Sequence, residues 1–397
     1  MDQVGKPDYD FVVFENWHLA TNHLKDVGLI ASLLRDCGYT VAVVDVYHNI
    51  NKEFVGDIPC IEVSHKGKLC KYPEKGPLSK EPYSKVIGII NRWIENRHLK
   101  SVLKELKGKY RHLYCGSYYV KMPIGWLRRI PSSSSAFFWG LRSSRLVMYQ
   151  KKMFDSWGIT SFLLRRYFDR HPNLKFFVSD QLIYDEFVAL GITKDRLVIR
   201  PERYIDDYPA KNHVSDKTFT LLSIGSLRPE KRIERILAAL RKLDDKDVHY
   251  VIAGASRSGY ESVIEKELVK DSSNNVKRLN YRLSEEEYNE LINQADFLVL
   301  CDRPQDSNVT NGTMNEALLA GVPIIAPNYY PYKYVIEHFK VGVAFDPDDL
   351  DSLARAIHDA KANKRVAFAD AIHKYQSQFL KKTVVRDFGK SLQSVIK

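Results

Sequence analysis

The sequence predicts an α/β protein of two doubly wound, Rossmann-like domains that face a cleft. In both halves of the 397-residue chain, short apolar runs alternate with stretches that carry apolar side chains at helical spacing. That alternation is typical of parallel sheets covered by helices. The length suits two ordinary domains, and no apolar run of about 18 residues predicts a membrane-spanning helix.

The first half begins with a βαβ unit. Residues 9–14 and 40–46 are apolar enough for buried strands, and residues 26–37 have helical spacing. The polar loop at 15–23 should therefore lie at the carboxyl edge of the sheet, where α/β folds bind ligands. No element is predicted at 47–85. The other predicted elements of this half are a helix at 87–106, a strand at 112–120, a serine-rich loop at 131–135, a partly helical stretch at 146–168, a strand at 174–178, a helix at 180–190 and a strand at 197–200.

The second half alternates more regularly. Its predicted strands lie at residues 218–224, 248–253, 276–280, 297–301, 322–326 and 341–345. Its predicted helices cover 232–243, 260–269, 284–293, a short segment after 311–313, 350–362 and the tail. Ser284 and Glu287 form a capping box. The polar segment 201–209 is typical of a linker, so we predict an N-terminal domain at 1–205, a C-terminal domain at 206–375 and a helical tail at 376–397.

The segment at 308–326 organises the second half. Asn311, Gly312 and Thr313 are turn and N-cap residues that open a short helix, and Glu316 follows in its first turns. A helix start presents unpaired N–H groups and the positive end of the helix dipole, which suit a phosphate. A carboxylate beside it can accept hydrogen bonds from sugar hydroxyls. The pattern predicts a nucleotide-sugar site, although an ordinary capped helix with a solvent-facing Glu fits the segment equally well.

The positive charge is confined to the first half. Residues 1–200 hold 31 Lys and Arg residues against 20 Asp and Glu, whereas residues 201–397 hold 29 of each. Between residues 86 and 152, 14 basic residues are interleaved with aromatic ones. This mixture of basic and aromatic residues favours binding to an anionic membrane surface or to a lipid-phosphate acceptor. Binding to nucleic acid is a weak third possibility, and we do not predict a nucleic acid as a partner. The alternative is a basic solvated face with its aromatic residues in the core.

The five scattered cysteines predict reduced thiols and a cytoplasmic protein, because they form no CxxC pair and the polar start is unlike a signal peptide. Two Asp-x-Asp patterns, at residues 8–10 and 346–348, flank a predicted strand and a predicted helix start. We interpret both as structural, and we expect no metal site and no cofactor.

Five motifs occur between residues 177 and 323 of the chain. They are Ile-Gly-Ser-Leu-Arg-Pro-Glu-Lys at 224–231, Val-Ile-Ala-Gly at 251–254, the capped helix and Ala-Asp strand at 283–296, Glu-Ala-Leu-Leu-Ala-Gly-Val-Pro at 316–323, and the strand, helix and strand at 177–199. Together they resemble the donor-binding domain of GT-B glycosyltransferases of the retaining family-4 type, the glycosyl transferases group 1. The similarity covers about residues 172–362 and is weaker over 9–46. It implies that the C-terminal helix returns to the N-terminal domain.

The resemblance also implies roles for individual residues. Lys231 matches the family's diphosphate-binding lysine, which would stabilise charge on the leaving nucleoside diphosphate. Glu316 matches the second Glu of the Glu-x7-Glu motif, which binds ribose hydroxyls. The helix start would hold the diphosphate, and the segment after the third strand would hold the base. The implied donor-binding residues are Gly225, Ser226, Tyr281, Arg282, Leu283, Asn311, Gly312, Thr313 and Glu316.

Two positions depart from the family pattern. The Arg that accompanies the lysine in the family is Ser226 here, and Arg228 is the candidate to replace it. The first Glu of the Glu-x7-Glu motif is Asn308, which we retain as a candidate catalytic residue, with Asp306 near enough to substitute. The donor sugar therefore stays open.

The implied reaction moves a hexose from a nucleotide-diphosphate sugar to a glycan or polyprenyl-linked acceptor, with retention, in bacterial surface polysaccharide assembly. The leaving phosphate would take the acceptor proton. An inverting enzyme would instead need a base from the N-terminal domain, for which Glu15, His18 and His23 are candidates by position. The alternatives are a sugar-nucleotide epimerase or phosphorylase on the same fold, and a non-catalytic binding protein with a decayed donor site. A peripheral site on the inner membrane face is the expected location.

Overall fold

A computed structural model describes most of the chain, and its contacts divide the chain into two compact units. Unit 1 comprises residues 1–202 and 385–397, and unit 2 comprises residues 203–384. The described residues are 7–15, 21–45, 55–63, 100–116, 124–139, 156–209, 218–257, 259–270, 275–304 and 311–396, with isolated positions at 90, 94, 97 and 146. Within these ranges no helix is both long and apolar enough to cross a bilayer.

Unit 1 contains a seven-stranded sheet in which every pair of neighbouring strands is parallel. Its strands are β1 (Tyr9–Glu15), β2 (Val41–Asp45), β3 (Cys60–Glu62), β4 (Tyr110–Gly116), β5 (Ser135–Phe138), β6 (Leu174–Val178) and β7 (Leu197–Ile199). The spatial order β3-β2-β1-β4-β5-β6-β7 reverses direction between β1 and β4. Parallel sheets of this kind bind ligands outside the carboxyl ends of the strands at such a reversal.

Three labelled helices cover this sheet: α1 (Thr21–Asp36), α2 (Ser156–Arg170) and α3 (Gln181–Ala189). Asp180 caps α3, because its carboxylate accepts a hydrogen bond from the Ile183 N–H at 3.0 Å. The prediction of a loop at 15–23 was wrong beyond residue 20, since α1 already begins at Thr21 and includes His23. Strands β3 and β5 were not predicted, and β5 begins inside the segment interpreted as a loop tip.

Unit 2 contains a six-stranded parallel sheet in the order β10-β9-β8-β11-β12-β13. The strands are β8 (Phe219–Ile224), β9 (Val248–Ala253), β10 (Val276–Leu279), β11 (Phe297–Val299), β12 (Ile324–Pro327) and β13 (Gly342–Phe345). The order is again doubly wound, with its reversal between β8 and β11. The loops that follow β8 and β11 are therefore the expected place for a ligand.

The helices of unit 2 are α4 (Ile233–Leu243), α5 (Glu261–Leu268), α6 (Glu285–Gln294), α7 (Gly312–Leu319), α8 (Tyr332–Phe339), α9 (Leu350–Asn363) and α10 (Ala369–Ser377). The predicted capping box is present at α6, where Ser284 and Glu287 exchange hydrogen bonds of 3.1 and 2.8 Å. Helix α8 was not predicted, although its buried residues recur at helical spacing. Two apolar clusters, one on each face of the sheet, form the core.

The last helix, α11 (Lys381–Ile396), belongs mainly to unit 1, which confirms that the C-terminal helix returns to the N-terminal domain. The Phe388 ring lies 5.7 Å from the Phe177 ring. The Lys175 amine donates a hydrogen bond to the Val395 carbonyl. Unit 1 is therefore closed by a segment that follows all of unit 2 in the sequence.

Candidate functional site

The site in unit 2 is built on the loop that follows β8, where two strand ends approach closely. Gly225 has φ +101° and donates its N–H to the Ala253 carbonyl at 3.0 Å. Gly254, at the end of β9, has φ +123°, and a Cβ there would lie 2.0 Å from the Gly225 carbonyl oxygen. Only glycine fits this second position, because L side chains rarely adopt its conformation and no space exists for one. The floor of the site is therefore bare backbone.

Lys231 projects its amine onto this floor from the short 3-10 turn Pro229–Lys231. Its Nζ donates a hydrogen bond to the Ile224 carbonyl at 2.9 Å. Both Lys231 Nζ and Thr313 Oγ1 lie 3.8 Å from the position that a Cβ on Gly225 would occupy. The structure thus brings together three residues that the sequence assigned to one site, from two segments about 85 positions apart.

The electrostatic surroundings of Lys231 are unusual for a lysine. Burial lowers the pKa of its amine, and the nearby Arg228 guanidinium lowers it further. The Asp302 and Glu316 carboxylates oppose this change without reversing it. Among the described residues, Lys231 Nζ has a carbonyl as its only hydrogen-bond acceptor and no carboxylate within ion-pair distance. An ammonium group in this position would gain from an anionic ligand that supplied the missing negative charge.

The start of α7 faces the same region. Asn311 is its N-cap, and the Asn311 Oδ1 accepts a hydrogen bond from the Met314 N–H at 3.0 Å. The Asn311 amide also donates to the Tyr332 hydroxyl at 2.7 Å, and that hydroxyl donates to Asp302 at 2.7 Å. No described atom lies within 4 Å of the position of a Cβ on Gly312, the first helical residue. The helix start is therefore held rigidly and left open, as an anion site requires.

Glu316 lies one turn further along α7, where two donors hold its carboxylate. Arg203 Nη2 donates to its Oε1 at 3.1 Å, and the Tyr288 hydroxyl donates to its Oε2 at 2.6 Å. Burial and the Glu316 charge raise the pKa of Tyr288, so this hydroxyl stays protonated and continues to donate. About a third of the Glu316 side chain is exposed, and each oxygen keeps a lone pair for a ligand.

Residues 205–378 match the model of the family described as glycosyl transferases group 1. Unit 2 therefore matches this family over nearly its whole length. This match contains the β8 loop, Lys231 and all of α7, and it confirms the family resemblance of the second half. None of the curated proteins matches the chain.

Solved structures extend the likeness to nearly the whole chain. HepE (Alr3699) from Anabaena, solved in complex with UDP, has a TM-score of 0.68 and 12% identity, covering 97% of this chain and 100% of its own. The lipopolysaccharide outer core galactosyltransferase WaaB has a TM-score of 0.64 and 12% identity, with 97% and 99% covered. Sucrose-phosphate synthase from Thermosynechococcus elongatus has a TM-score of 0.64 and 16% identity, again with 97% and 99% covered. At such identities the likeness shows the fold, which is GT-B as predicted.

The structure describes only one of the two positions that depart from the family pattern. The Ser226 Oγ is buried and has no hydrogen-bond partner among the described residues. Arg228 is exposed and precedes the turn that carries Lys231. Its replacement of the missing arginine stays a prediction. Asn308 and Asp306 lie outside the described residues.

The segment predicted to hold the base follows β10 and is largely exposed. The Tyr281 side chain is 45% exposed, and its hydroxyl donates to Glu287 at 3.1 Å. Arg282 is also exposed, whereas Leu283 packs against the apolar cluster beneath α6 and α7. An exposed ring next to a strand end is suited to stacking on a flat ligand, so this role stays a prediction.

The predicted acceptor-side residues are only partly described. Glu15 ends β1 and pairs in register with Gly116, but its side chain lies outside the described residues, as does His18. His23 lies on α1 and its side chain is likewise outside the described set. The residues of the candidate site that the sequence did not predict are Arg203, Tyr288, Asp302 and Tyr332. Of these, only Asp302 carried a signal, because it is a polar residue just beyond the carboxyl end of β11.

One carboxylate of each Asp-x-Asp pattern accepts hydrogen bonds within the protein. Asp10 accepts from the Thr40 N–H and hydroxyl at 3.0 and 2.8 Å, and Asp346 accepts from the Asp348 N–H at 2.9 Å. Across the described ranges, no three or more His, Cys, Asp or Glu side chains cluster as metal ligands would. Asp10 and Asp346 therefore have hydrogen-bonding roles in the fold, and the interpretation of both patterns as structural stays a prediction.

Proposed function

We propose that this protein transfers a sugar from a nucleotide-diphosphate sugar to a hydroxyl group of a glycan or lipid-linked glycan. The observation that supports this most directly is the convergence of Lys231, Thr313 and Glu316 around the glycine floor at the switch point of unit 2. A cation that has no ion pair among the described residues and an open helix start suit a diphosphate. A carboxylate one turn away suits ribose hydroxyls. Because HepE was solved with UDP and with UDP-glucose, UDP is the first nucleotide to test.

In the proposed reaction, unit 2 binds the donor and unit 1 binds the acceptor. Lys231 stabilises the negative charge that develops on the departing diphosphate as the bond to the anomeric carbon breaks. The α7 start adds its N–H groups to the same oxygens. The acceptor hydroxyl attacks from the face that the diphosphate leaves, and a diphosphate oxygen takes its proton. This sequence retains the anomeric configuration, needs no enzymic nucleophile and draws on no metal ion.

A thermal-shift panel tests the donor site. UDP, GDP, ADP, CMP and their sugars are added to the purified protein, and a ligand that binds only the folded state raises its Tm. We expect one base to give a rise that is lost in Lys231→Ala and in Glu316→Ala. The matched controls are Lys242→Ala and Glu290→Ala, which remove exposed residues of unit 2 away from the site and should keep the rise.

The outcomes separate the alternative functions. A rise with one nucleotide sugar, followed by release of its nucleotide only when an acceptor extract is added, supports transfer. Conversion of that sugar into its epimer without an acceptor would instead identify an epimerase. If no nucleotide raised the Tm, the result would contradict the donor site and favour a binding protein whose donor site has decayed.

We further propose that the transferred sugar is a hexose, that the pathway builds a bacterial surface polysaccharide, and that the protein works at the cytoplasmic face of the membrane on a polyprenyl-linked acceptor. Unit 1 offers a surface for that attachment. On α2, Ile159 and Leu163 are 52% and 49% exposed on one face. Burial raises the pKa of Tyr167 on the same helix, and the nearby Arg128 charge opposes that rise, which locates the turn Ile124–Arg129 beside α2. The exposed basic residues there are Arg128, Arg129, Arg166 and Arg170.

Co-sedimentation with vesicles tests this attachment. The protein should pellet with vesicles that contain phosphatidylglycerol and not with neutral phosphatidylcholine vesicles, because the attraction is electrostatic. The double change Arg128→Glu and Arg129→Glu should release it, whereas Lys242→Glu on unit 2 should not. Binding that charge reversal leaves unchanged would count against the surface.

A further inference from the structure

Unit 1 contains a buried cation that the proposed donor chemistry does not use. Arg200 directly follows β7, and its N–H donates to the Val178 carbonyl at 2.7 Å. Its side chain is fully buried. The Arg200 Nη2 donates to Asp26 Oδ1 at 2.6 Å, and the guanidinium carbon lies 4.2 Å from the centre of the Trp139 ring. Three elements distant in sequence therefore meet at one buried charge.

Arg200 is only partly paired. Its Nε and Nη1 are buried and have no acceptor among the described residues. Burying a guanidinium is costly unless its partner and geometry compensate, so this cluster is unlike ordinary core packing. Asp26, in contrast, is 21% exposed, and the Tyr114 hydroxyl lies 3.5 Å from its other oxygen. The partly exposed Asp26 carboxylate is therefore held in place by the buried Arg200 guanidinium.

The cluster lies at the edge of the sheet where α/β folds bind ligands. Trp139 comes directly after β5, Arg200 directly after β7, and Asp26 is on α1, the helix that follows β1. Trp139 is anchored to the end of β4, because its N–H donates to the Cys115 carbonyl at 3.0 Å. The carboxyl ends of parallel strands share one edge, and the reversal of strand order between β1 and β4 is at this edge.

We propose that Asp26 and Trp139 form a subsite for a neutral sugar ring of the acceptor glycan, with Arg200 as the positioning residue that fixes both. The Asp26 carboxylate accepts hydrogen bonds from ring hydroxyls, and the partly buried indole of Trp139 contacts the apolar face of the sugar. A neutral sugar fits better than a phosphate, because Asp26 neutralises Arg200 and its own negative charge would repel an anion. The identity of the ligand as an acceptor rests on the proposed transfer function.

Saturation-transfer NMR with the methyl glycosides of glucose, galactose, mannose and N-acetylglucosamine tests the subsite. UDP is added throughout to occupy the donor site. At least one glycoside should show transfer with the unchanged protein, and Asp26→Asn or Trp139→Ala should weaken that binding by about tenfold or more. The matched control is Asp169→Asn, which alters an exposed carboxylate of unit 1 that pairs with Arg165 and should bind the sugar normally.

The role of Arg200 is tested by its conservative variant. Arg200→Lys keeps a charge beside Asp26 and should retain part of the sugar binding that Arg200→Met loses. If Arg200→Met does not fold, the comparison of Asp26→Asn with Asp169→Asn still decides the proposal. Trp139→Phe, which keeps a ring, should bind more tightly than Trp139→Ala.

The results also separate this inference from the proposed function. The subsite would be overturned if no glycoside showed saturation transfer. It would also be overturned if the saturation transfer were equal in the unchanged protein, in Asp26→Asn and in Trp139→Ala. Displacement of the sugar by 10 mM inorganic phosphate would overturn its assignment to a neutral ligand. Sugar binding in a protein whose Tm no nucleotide raises would leave the subsite standing and refute the transfer function.

Discussion

Glu316→Gln is the change that most directly tests the donor site, because it removes a charge while preserving the size of the side chain. The Tyr288 hydroxyl can still donate to the amide oxygen of the new residue. The pair with Arg203 is lost, but its partners are 39% and 31% exposed, and such pairs contribute about 1 kcal/mol or less to stability. The unliganded protein should therefore melt within a few degrees of the unchanged protein, at about 2–4 °C per kcal/mol.

The effect on nucleotide binding should be much larger. A hydrogen bond to a charged acceptor stabilises by roughly 1.5–3 kcal/mol and one to a neutral acceptor by about 0.5–1.5 kcal/mol. If two ribose hydroxyls bind Glu316, the loss is roughly 2–3 kcal/mol, which corresponds to a Kd about 30–150 times higher. At a ligand concentration of about 100 times the original Kd, stabilisation should fall from about 2.7 to about 0.3–0.9 kcal/mol. The rise in Tm would then shrink from roughly 5–11 °C to about 1–4 °C.

The assay compares ribose and deoxyribose ligands. The melting shift and the calorimetric Kd are measured for the preferred nucleoside diphosphate and for its 2′-deoxy form, with the unchanged protein and with Glu316→Gln. The unchanged protein should prefer the ribose form, and the variant should lose most of that preference. Glu290→Gln, on exposed α6, is the control. A variant that melts normally, binds the nucleotide as tightly as before and still discriminates against the deoxy form would refute the assignment of Glu316 to the ribose.

Three further predictions concern the charge and backbone of the same site. Burial lowers the pKa of Lys231, and a bound diphosphate should raise it again, so nucleotide affinity should begin to fall with rising pH below the ordinary pKa of lysine, by at most about tenfold per pH unit. Lys231→Arg should flatten this profile in a calorimetric titration, and an unchanged profile would show that another group titrates. EDTA should leave the rate of transfer unaltered, because Lys231 and the α7 start supply the positive charge. Loss of transfer that Mg²⁺ restores would contradict this. Gly254→Ala should lower the free energy of unfolding by about 3 kcal/mol or more, since its Cβ would overlap the Gly225 carbonyl. Gly259 has φ +70° and no neighbouring atoms near its Cβ position, so Gly259→Ala should lower the free energy of unfolding by only about 1 kcal/mol, measured by chemical denaturation. Equal losses of unfolding free energy in the two variants would show that the close approach of Gly254 to Gly225 is unimportant.

The elements that the sequence predicted best are strands whose residues are mostly apolar and buried. The apolar runs Leu174–Val178 and Val248–Ala253 are strands with the predicted bounds, because both are covered on two faces. The missed strands lack that signal. Cys60–Glu62 has three residues, two of them exposed, and Ser135–Phe138 is preceded by a run of serines that is typical of a loop. Helix α1 begins earlier than predicted, because the three residues that open it, Thr21 to His23, are polar and are typical of a loop.

In the candidate site, too, the sequence predicted the contacts between neighbouring residues and missed the contacts between residues far apart in the chain. The turn and cap residues at the start of α7 were predictable because their chemistry acts within four positions of the chain, as the bond from Asn311 to Met314 shows. The partners of Glu316 were not, since Arg203 lies 113 positions away and Tyr288 lies 28 positions away. No local pattern links an arginine at the entry to unit 2 with a carboxylate on its fourth α-helix after β8. Only the packed sheet brings them together.

The distribution of positive charge follows from this arrangement. An arginine at position 226 would place a second cation next to Lys231, but Ser226 occupies that position with a buried hydroxyl. Arg228 is exposed, and its positive charge lowers the pKa of Lys231 in addition to the effect of burial. Among the described residues, Arg228 bonds to no carboxylate of the site. Arg203 contributes a different charge, which Glu316 already neutralises. If Arg228 replaces the missing arginine, Arg228→Gln should raise the pKa of Lys231 and weaken diphosphate binding, whereas Arg203→Gln should reduce ribose selectivity and leave pyrophosphate binding intact. Calorimetry with pyrophosphate and with the nucleotide distinguishes the two, and a loss of pyrophosphate affinity in Arg203→Gln alone would assign the second cation to Arg203.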